Sequence, residues 1–92
     1  MELIYDNDAD ALEITFGGGI VSRTVEIDSG TLVDVDEHGE VVAVEVIAPR
    51  RPWPLDELFG HFRFDEQDAE ILRVLQVHQE LPPTRTAALA GV

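Results

Sequence analysis

Five short segments in which apolar and polar residues alternate fill the first half of the chain. They read ELIYD, ALEITF, IVSRTVEID, TLVDVD and VVAVEVIA, at residues 2–6, 11–16, 20–28, 31–36 and 41–48. Alternation with a period of two is typical of β-strands that bury one face. The connections DNDAD, GGG, SG and EHGE are short and rich in turn-forming residues. Strands joined this closely pair as antiparallel neighbours, so we predict an antiparallel β-meander of about five strands.

The alternation assigns the side chains of these strands to two faces. The inward positions are apolar: Leu3, Tyr5, Leu12, Ile14, Phe16, Val25, Ile27, Val33, Val35, Val42, Val44 and Val46. Regular alternation would place Arg23 on the inner face together with Val25. A charged residue there predicts that Arg23 lies at an exposed strand end or that a bulge shifts the alternation. The acids Glu13, Glu26, Asp34 and Glu45 fall on the opposite, outer face. An antiparallel sheet with one apolar face needs a second layer to cover it.

The second half of the chain supplies that layer. Three prolines within residues 49–54 exclude helix and inner strand and predict a stiff crossing segment. Pro54 can open a short helix over 55–60. Asp65 resembles an N-cap for a longer helix over about 66–78, in which Ala69, Leu72, Leu75 and Gln79 form an apolar stripe flanked by Ile71 and His78.

These elements predict an α+β fold in a single domain. The domain comprises a β-meander at 1–48 and a crossing segment with one or two helices at 49–81, packed on one face of the sheet. Pro82 and Pro83 end the second helix, and 82–92 are expected to form a flexible tail.

The net charge of the chain limits the kinds of molecule that it is expected to bind. Nineteen acidic residues face six basic ones, a formal net charge of −13. Such a surface repels phosphate backbones and anionic membranes, whereas it attracts a basic protein or a cation. The alternative is that the acids only keep a small domain in solution. The absence of cysteine, of a long apolar run and of a signal peptide favours a cytoplasmic protein.

The residue pattern of the first half resembles a known family. The matching pieces are Tyr5-Asp6, Ala9-Asp10-Ala11-Leu12, Thr24-Val25-Glu26-Ile27, Val33-Asp34-Val35-Asp36 with Gly39, and Val44-Glu45-Val46. Together they resemble the domain-of-unknown-function family 2283, the YuzE-like small bacterial proteins, over residues 1 to about 48. The resemblance implies a β-meander without catalytic residues and an antitoxin-like binding role.

Two groups of acids could carry chemistry. Asp6, Asp8 and Asp10 have the D-x-D-x-D start of a calcium loop, but Ala11 and Gly17 stand where that loop needs glycine and glutamate, which favours a hydrogen-bonded turn. The outer-face acids have three interpretations that the sequence leaves open. They form a plain hydrated face, a docking surface for a basic partner, or a set of carboxylates that gathers a divalent ion or divides acid and base roles. His38, His61 and His78 lack the spacing of a metal site.

Arg50, Arg51 and Trp53 form the basic and aromatic cluster of the sequence. Arginine and tryptophan are frequent interface anchors, so one hypothesis is that this cluster contacts the acidic face of a second copy. The alternative is that Trp53 covers the core beneath the crossing segment.

The leading hypothesis is a non-enzymatic, antitoxin-like protein-interaction module that self-associates, most simply as a dimer. Its partner-binding residues are Glu13, Glu26, Asp34, Glu45, Arg50, Arg51 and Trp53, and we expect no catalytic residue, cofactor or metal. The alternative is a metal-dependent hydrolase-like site built on the outer-face carboxylates.

Overall fold

A computed structural model describes residues 1–77. The elements are β1 (Glu2–Asp6), β2 (Ala11–Thr15), β3 (Arg23–Asp28), β4 (Thr31–Val35), β5 (Val41–Ile47), α1 (Leu55–His61) and α2 (Glu66–Val77). Five antiparallel strands form one sheet, which the two helices follow in sequence. The predicted α+β fold class is confirmed.

The order of the strands differs from a simple meander. Across the sheet the order is β1-β2-β5-β4-β3, so β1–β2 form one hairpin and β3–β4–β5 form a three-stranded meander. The expectation that β2 and β3 pair across a tight triple-glycine turn is wrong. Instead, residues 16–22 carry the chain to the far edge of the sheet, anchored by hydrogen bonds from Phe16 N to Val42 O and from Ser22 N to Val35 O, both 2.8 Å.

Burial explains why β5 lies in the middle. Its residues Val42, Ala43, Val44 and Val46 are all buried. Val44 and Val46 lie in the core cluster, and Ala43 is buried on the other face between the neighbouring strands β2 and β4. Strand β3 is the most exposed of the five and lies at an edge. The distance to be crossed is about 14 Å for three strand spacings. Seven extended residues reach about 23 Å, so the connection is long enough.

The core lies between the sheet and the helices. Inner-face residues of the strands pack with Trp53, Leu58, Leu72 and Leu75 in one buried cluster. Ala69, Leu72 and Leu75 of the predicted stripe are buried, and Asp65 caps α2 by accepting a hydrogen bond from Asp68 N at 2.8 Å. The predicted second layer is therefore confirmed.

The crossing segment is fixed at both of its ends. Trp53 is 6% exposed, and its Nε1 donates to Pro49 O at 2.8 Å. Gln76 of α2 accepts a hydrogen bond from Trp53 N and donates its Nε2 to Arg51 O at 3.3 Å. One amide side chain therefore pairs with two backbone groups of this segment and joins it to α2.

Several predictions fall on residues that the structure does not describe. The helix positions His78 and Gln79, the stop at Pro82 and Pro83 and the tail over 82–92 lie outside residues 1–77. Within that range, no helix is long and apolar enough to cross a membrane.

Candidate functional site: the outer face of the sheet

The sheet face opposite the helices is called the outer face. Strand registers align its side chains in two rows that cross all five strands. The first row is Ile4, Glu13, Glu45, Leu32 and Glu26, and the second is Glu2, Thr15, Ala43, Asp34 and Thr24. Five of these ten residues are acidic and none is basic. The four acids predicted for this face therefore lie on it together.

Glu13 and Glu45 form a direct like-charge pair. They are register partners on the adjacent central strands β2 and β5. Side chains directly opposite each other in an antiparallel pair have Cβ atoms about 4.5–5.5 Å apart, and like charges at that distance destabilise the sheet. Asp34 pairs with Ala43, two residues from Glu45, and so occupies the diagonal position on β4. Three carboxylates thus lie across the middle of the sheet.

Asp34 and Glu26 continue the row of acids from the Glu13–Glu45 pair toward the β3 edge. Asp34 Oδ1 accepts a hydrogen bond from Thr24 Oγ1 at 2.5 Å, which orients this carboxylate along the sheet. Glu26 is exposed at the end of the first row, next to half-buried Leu32. The acidic surface therefore extends from the centre of the sheet to one edge.

Apolar side chains interrupt the acids, and the sequence analysis did not place them there. Ile4 and Ile47 are each 39% exposed on the outer face, and Leu32 is half-buried between Glu45 and Glu26. These residues lie at polar positions of otherwise alternating strands, and that departure from alternation was the available signal. The outer face combines apolar contact area with negative charge.

The basic and aromatic cluster is divided between the core and the surface. Trp53 lies in the core, as the alternative interpretation expected, whereas Arg50 is exposed. Arg51 is half-buried and bonds to Ile47 O and Thr31 Oγ1, both at 3.0 Å, and to Asp28 at 3.4 Å. The roles of the arginines in partner binding stay predictions.

The aspartates between β1 and β2 form a hydrogen-bonded turn. Asp6 Oδ1 accepts from the backbone of Asp8 at 3.0 Å and of Ala9 at 3.2 Å, and Asp10 accepts from the Tyr5 hydroxyl at 2.5 Å. That hydrogen bond and burial raise the pKa of Tyr5. These contacts agree with the turn interpretation. Across residues 1–77, no three or more histidine, aspartate or glutamate side chains group in a way that could hold a metal ion.

Comparison with known proteins identifies one family. Residues 2–48 match the family model described as "Protein of unknown function (DUF2283)". This confirms the resemblance drawn from the strand motifs. No curated protein and no solved structure matches the chain. The matched segment runs from the first residue of β1 to the residue after β5, so it contains the whole sheet.

Proposed function

The chain belongs to the DUF2283 family, and we propose that it acts in the cytoplasm as a non-enzymatic protein-interaction module of antitoxin-like type. In this proposal the outer face binds a basic protein partner. The family match ends where the sheet ends, so the helices and the crossing segment lie outside it. The part of the chain that the family model recognises is therefore the part that carries the proposed binding face.

The observation that carries the proposal is the Glu13–Glu45 pair. Two carboxylates lie directly opposite each other at the centre of the sheet, and no basic residue of the two outer rows accompanies them. Within residues 1–77, neither side chain takes part in an ion pair or hydrogen bond. The pair costs folding stability, and an arginine or lysine of a partner placed between the carboxylates would relieve that cost.

The apolar residues of the same face support a protein as partner. Ile4, Leu32 and Ile47 lie among the acids and offer surface that a protein can cover. Protein interfaces combine apolar area at their centre with charged groups around it. Simple solubility would be served by the acids alone, so the mixed composition favours docking over a plain hydrated face.

A second copy of the chain is a further partner that we propose for this face. Arg50 is exposed and carries a positive charge that could meet the outer-face acids of another molecule. Electrostatic complementarity of this kind sets orientation and association rate more than affinity. The expected product is a dimer.

The metal-dependent hydrolase alternative has weaker support. Two facing carboxylates can contribute to a divalent-ion site, but such sites draw on more oxygen ligands than Glu13 and Glu45 supply. Asp34, the nearest further acid in register, accepts a hydrogen bond from Thr24. No other arrangement on the outer face favours this function.

The test neutralises the central pair and compares it with a matched variant. Glu13→Gln with Glu45→Gln should lose a salt-sensitive partner that wild-type bait captures from a lysate of the source organism. Asp56→Asn with Glu66→Gln makes the same change in net charge at exposed helix positions and should retain that partner. Equal capture by both double variants would exclude the outer face as the binding site.

The same variants test the antitoxin-like and dimeric parts of the proposal. A captured partner that inhibits growth when expressed alone should be neutralised by wild-type protein and not by the outer-face variant. If the wild type sediments as a dimer held by this face, the outer-face variant should sediment as a monomer. A partner without effect on growth would remove the antitoxin-like role and leave the interaction role intact.

A further inference from the structure

A groove separates the edge strand β3 from helix α1. Its volume is about 350 Å³, and its apolar lining comes from Val25, Ile27 and Phe62. Arg23, Glu26, Glu57 and His61 border it. The volume lies in the range of about 300–1,000 Å³ that is typical of ligand sites. This groove lies on the helix side of the sheet edge. Glu26, whose side chain belongs to the outer face, borders it at that edge.

The groove exists because the helices do not fully cover β3. Val25 and Ile27 are half-buried, whereas Val33 and Val44, which face inward on the neighbouring strands, are 0% exposed. Within residues 1–77, β3 pairs only with β4. An edge strand presents unpaired backbone N–H and C=O groups along its free side. Apolar pockets therefore lie next to a row of free backbone donors and acceptors.

We propose that this groove binds an extended peptide segment of a partner protein, which adds to the sheet as a strand beside β3. In strand addition, the main-chain hydrogen bonds supply affinity and the pockets for alternate side chains supply specificity. Side chains of the added strand that point toward α1 enter the apolar lining, so apolar residues are required at every second position. A register shift between Glu26 and Asp28 breaks the regular pairing of β3, so the added strand pairs along Arg23–Glu26.

The charges at the groove select a basic peptide. Glu26 and Glu57 border the groove, and the net charge of the chain is −13. A peptide with arginine or lysine between its apolar residues is steered to this surface. Its basic side chains point to the outer-face side of the added strand, where Glu26 lies, and Glu57 attracts the peptide from the helix side of the groove. Arg23, at the start of β3, opposes such a peptide. The occupant is therefore a segment with alternating apolar and basic residues.

The probe is a fluorescein-labelled heptapeptide, Arg-Val-Arg-Val-Arg-Val-Arg, titrated against the full chain by fluorescence anisotropy. A peptide with glutamate in place of every arginine should not bind. Only every second N–H of an added strand faces β3, so proline is placed at the central valine in one peptide and at the arginine after it in another. One of these two peptides should bind about tenfold more weakly. Saturable binding that neither proline weakens would show that the backbone of the peptide is not paired, and would overturn the proposal.

Two neighbouring acids provide a matched pair of protein variants. Asp56 and Glu57 are both exposed in the first turn of α1, but only Glu57 borders the groove. Glu57→Arg should weaken binding of the valine–arginine peptide about fivefold more than Asp56→Arg does. Arg23→Glu replaces a charge that repels the arginines of the peptide by one that attracts them, and it should tighten peptide binding about threefold. Equal effects of Glu57→Arg and Asp56→Arg on peptide affinity would contradict binding in the groove.

Further outcomes distinguish peptide binding in the groove from peptide binding at the outer face and from pairing of two copies through β3. Binding that Glu13→Gln with Glu45→Gln abolishes, while Glu57→Arg leaves it unchanged, would assign the peptide to the outer face and overturn the groove. Amide shifts in NMR confined to Arg23–Asp28 and α1 support it. A peptide that fails to bind because the protein is a dimer paired through β3 also overturns it, since the edge is then taken by a second copy.

Discussion

Arg51 is held against the sheet by three acceptors from different parts of the chain. Its guanidinium bonds to Ile47 O, Thr31 Oγ1 and Asp28 Oδ2 at 3.0, 3.0 and 3.4 Å. Gly30 lies directly beneath this group. A Cβ atom at that position would be only 2.5 Å from Arg51 Nη2. The arginine therefore clamps the β3–β4 turn to the end of β5.

The carboxylate of Asp28 is the anionic partner in this clamp. Burial works against its ionisation, but the Gly30 N–H, the Thr31 hydroxyl and the charge of Arg51 together lower the pKa of Asp28 below its ordinary value. An acid with a lowered pKa in the folded state stabilises the fold above its unfolded pKa of about 3.9. That stabilisation is lost as the pH falls through the lowered pKa.

Asp28→Asn should therefore destabilise the protein in a pH-dependent way. Near pH 7 we expect a loss of about 1 kcal/mol in the free energy of unfolding, a value reduced by the partial exposure of the pair. The difference from wild type should shrink as the pH falls below about 4 and then disappear. Urea unfolding at pH values from about 7 to below about 4 measures the difference in the free energy of unfolding between the variant and the wild type. Asp8→Asn, an exposed acid of the same charge, is the control, and a difference independent of pH would contradict the assignment.

Single-residue roles were only partly predictable from the sequence. The parity of Glu13 and Glu45 places both on the outer face, but their direct opposition depends on β2 and β5 being neighbours. Trp53 could have been an anchor or a core residue, and only the packed helices place it inside. Burial of a side chain depends on residues far away in the sequence, which a local pattern does not contain.

At the scale of elements, local patterns gave the strands and helices but not their arrangement. Alternation located all five strands, and the cap at Asp65 located the start of α2. The triple glycine suggested a tight turn, whereas residues 16–22 form a crossing connection. A different feature pointed to the true order. The nearly continuous apolar run of β5 is typical of a strand at the centre of a sheet.

The joint between α2 and the crossing segment depends on one amide side chain. Gln76→Ala removes the acceptor of Trp53 N and the donor to Arg51 O. A partly buried backbone N–H left without a partner costs about 1–3 kcal/mol, so we expect a loss of that size in the free energy of unfolding. Gln67→Ala, on the exposed side of the same helix, is the control and should change the free energy of unfolding by less than about 0.5 kcal/mol.

Urea unfolding followed by fluorescence tests this joint, because Trp53 is the single tryptophan of the chain. Gln76→Glu keeps an acceptor for Trp53 N and loses the donor to Arg51 O, so its stability should lie between those of the wild type and Gln76→Ala. If Gln76→Ala and Gln67→Ala unfold at the same urea concentration, Gln76 does not hold the segment.

At the scale of the whole molecule, negative charge opposes folding. Thirteen net negative charges are held within a chain whose radius of gyration is 12.3 Å. Compaction brings like charges together, so net charge far from zero destabilises the folded state. Few of the acids among the described residues have a cationic partner: Arg73–Glu70 is exposed, and Arg51–Asp28 is partly buried. The stability of the domain should therefore depend on anything that screens or neutralises the acids, including a basic partner.

Added salt should raise the melting temperature at pH 7. The Debye length falls from about 30 Å at 0.01 M to about 10 Å at 0.1 M, a change that spans the size of the molecule. We expect a gain of at least about 1 kcal/mol, which corresponds to about 4–8 °C for a domain of this length. Calorimetric scans in sodium chloride and in tetramethylammonium chloride should give the same rise, because screening does not depend on the identity of the cation. Glu13→Gln with Glu45→Gln should start from a higher melting temperature and gain less from salt, since the central repulsion is already removed. A rise confined to sodium would indicate a bound ion. A melting temperature independent of salt would show that charge repulsion does not destabilise this fold.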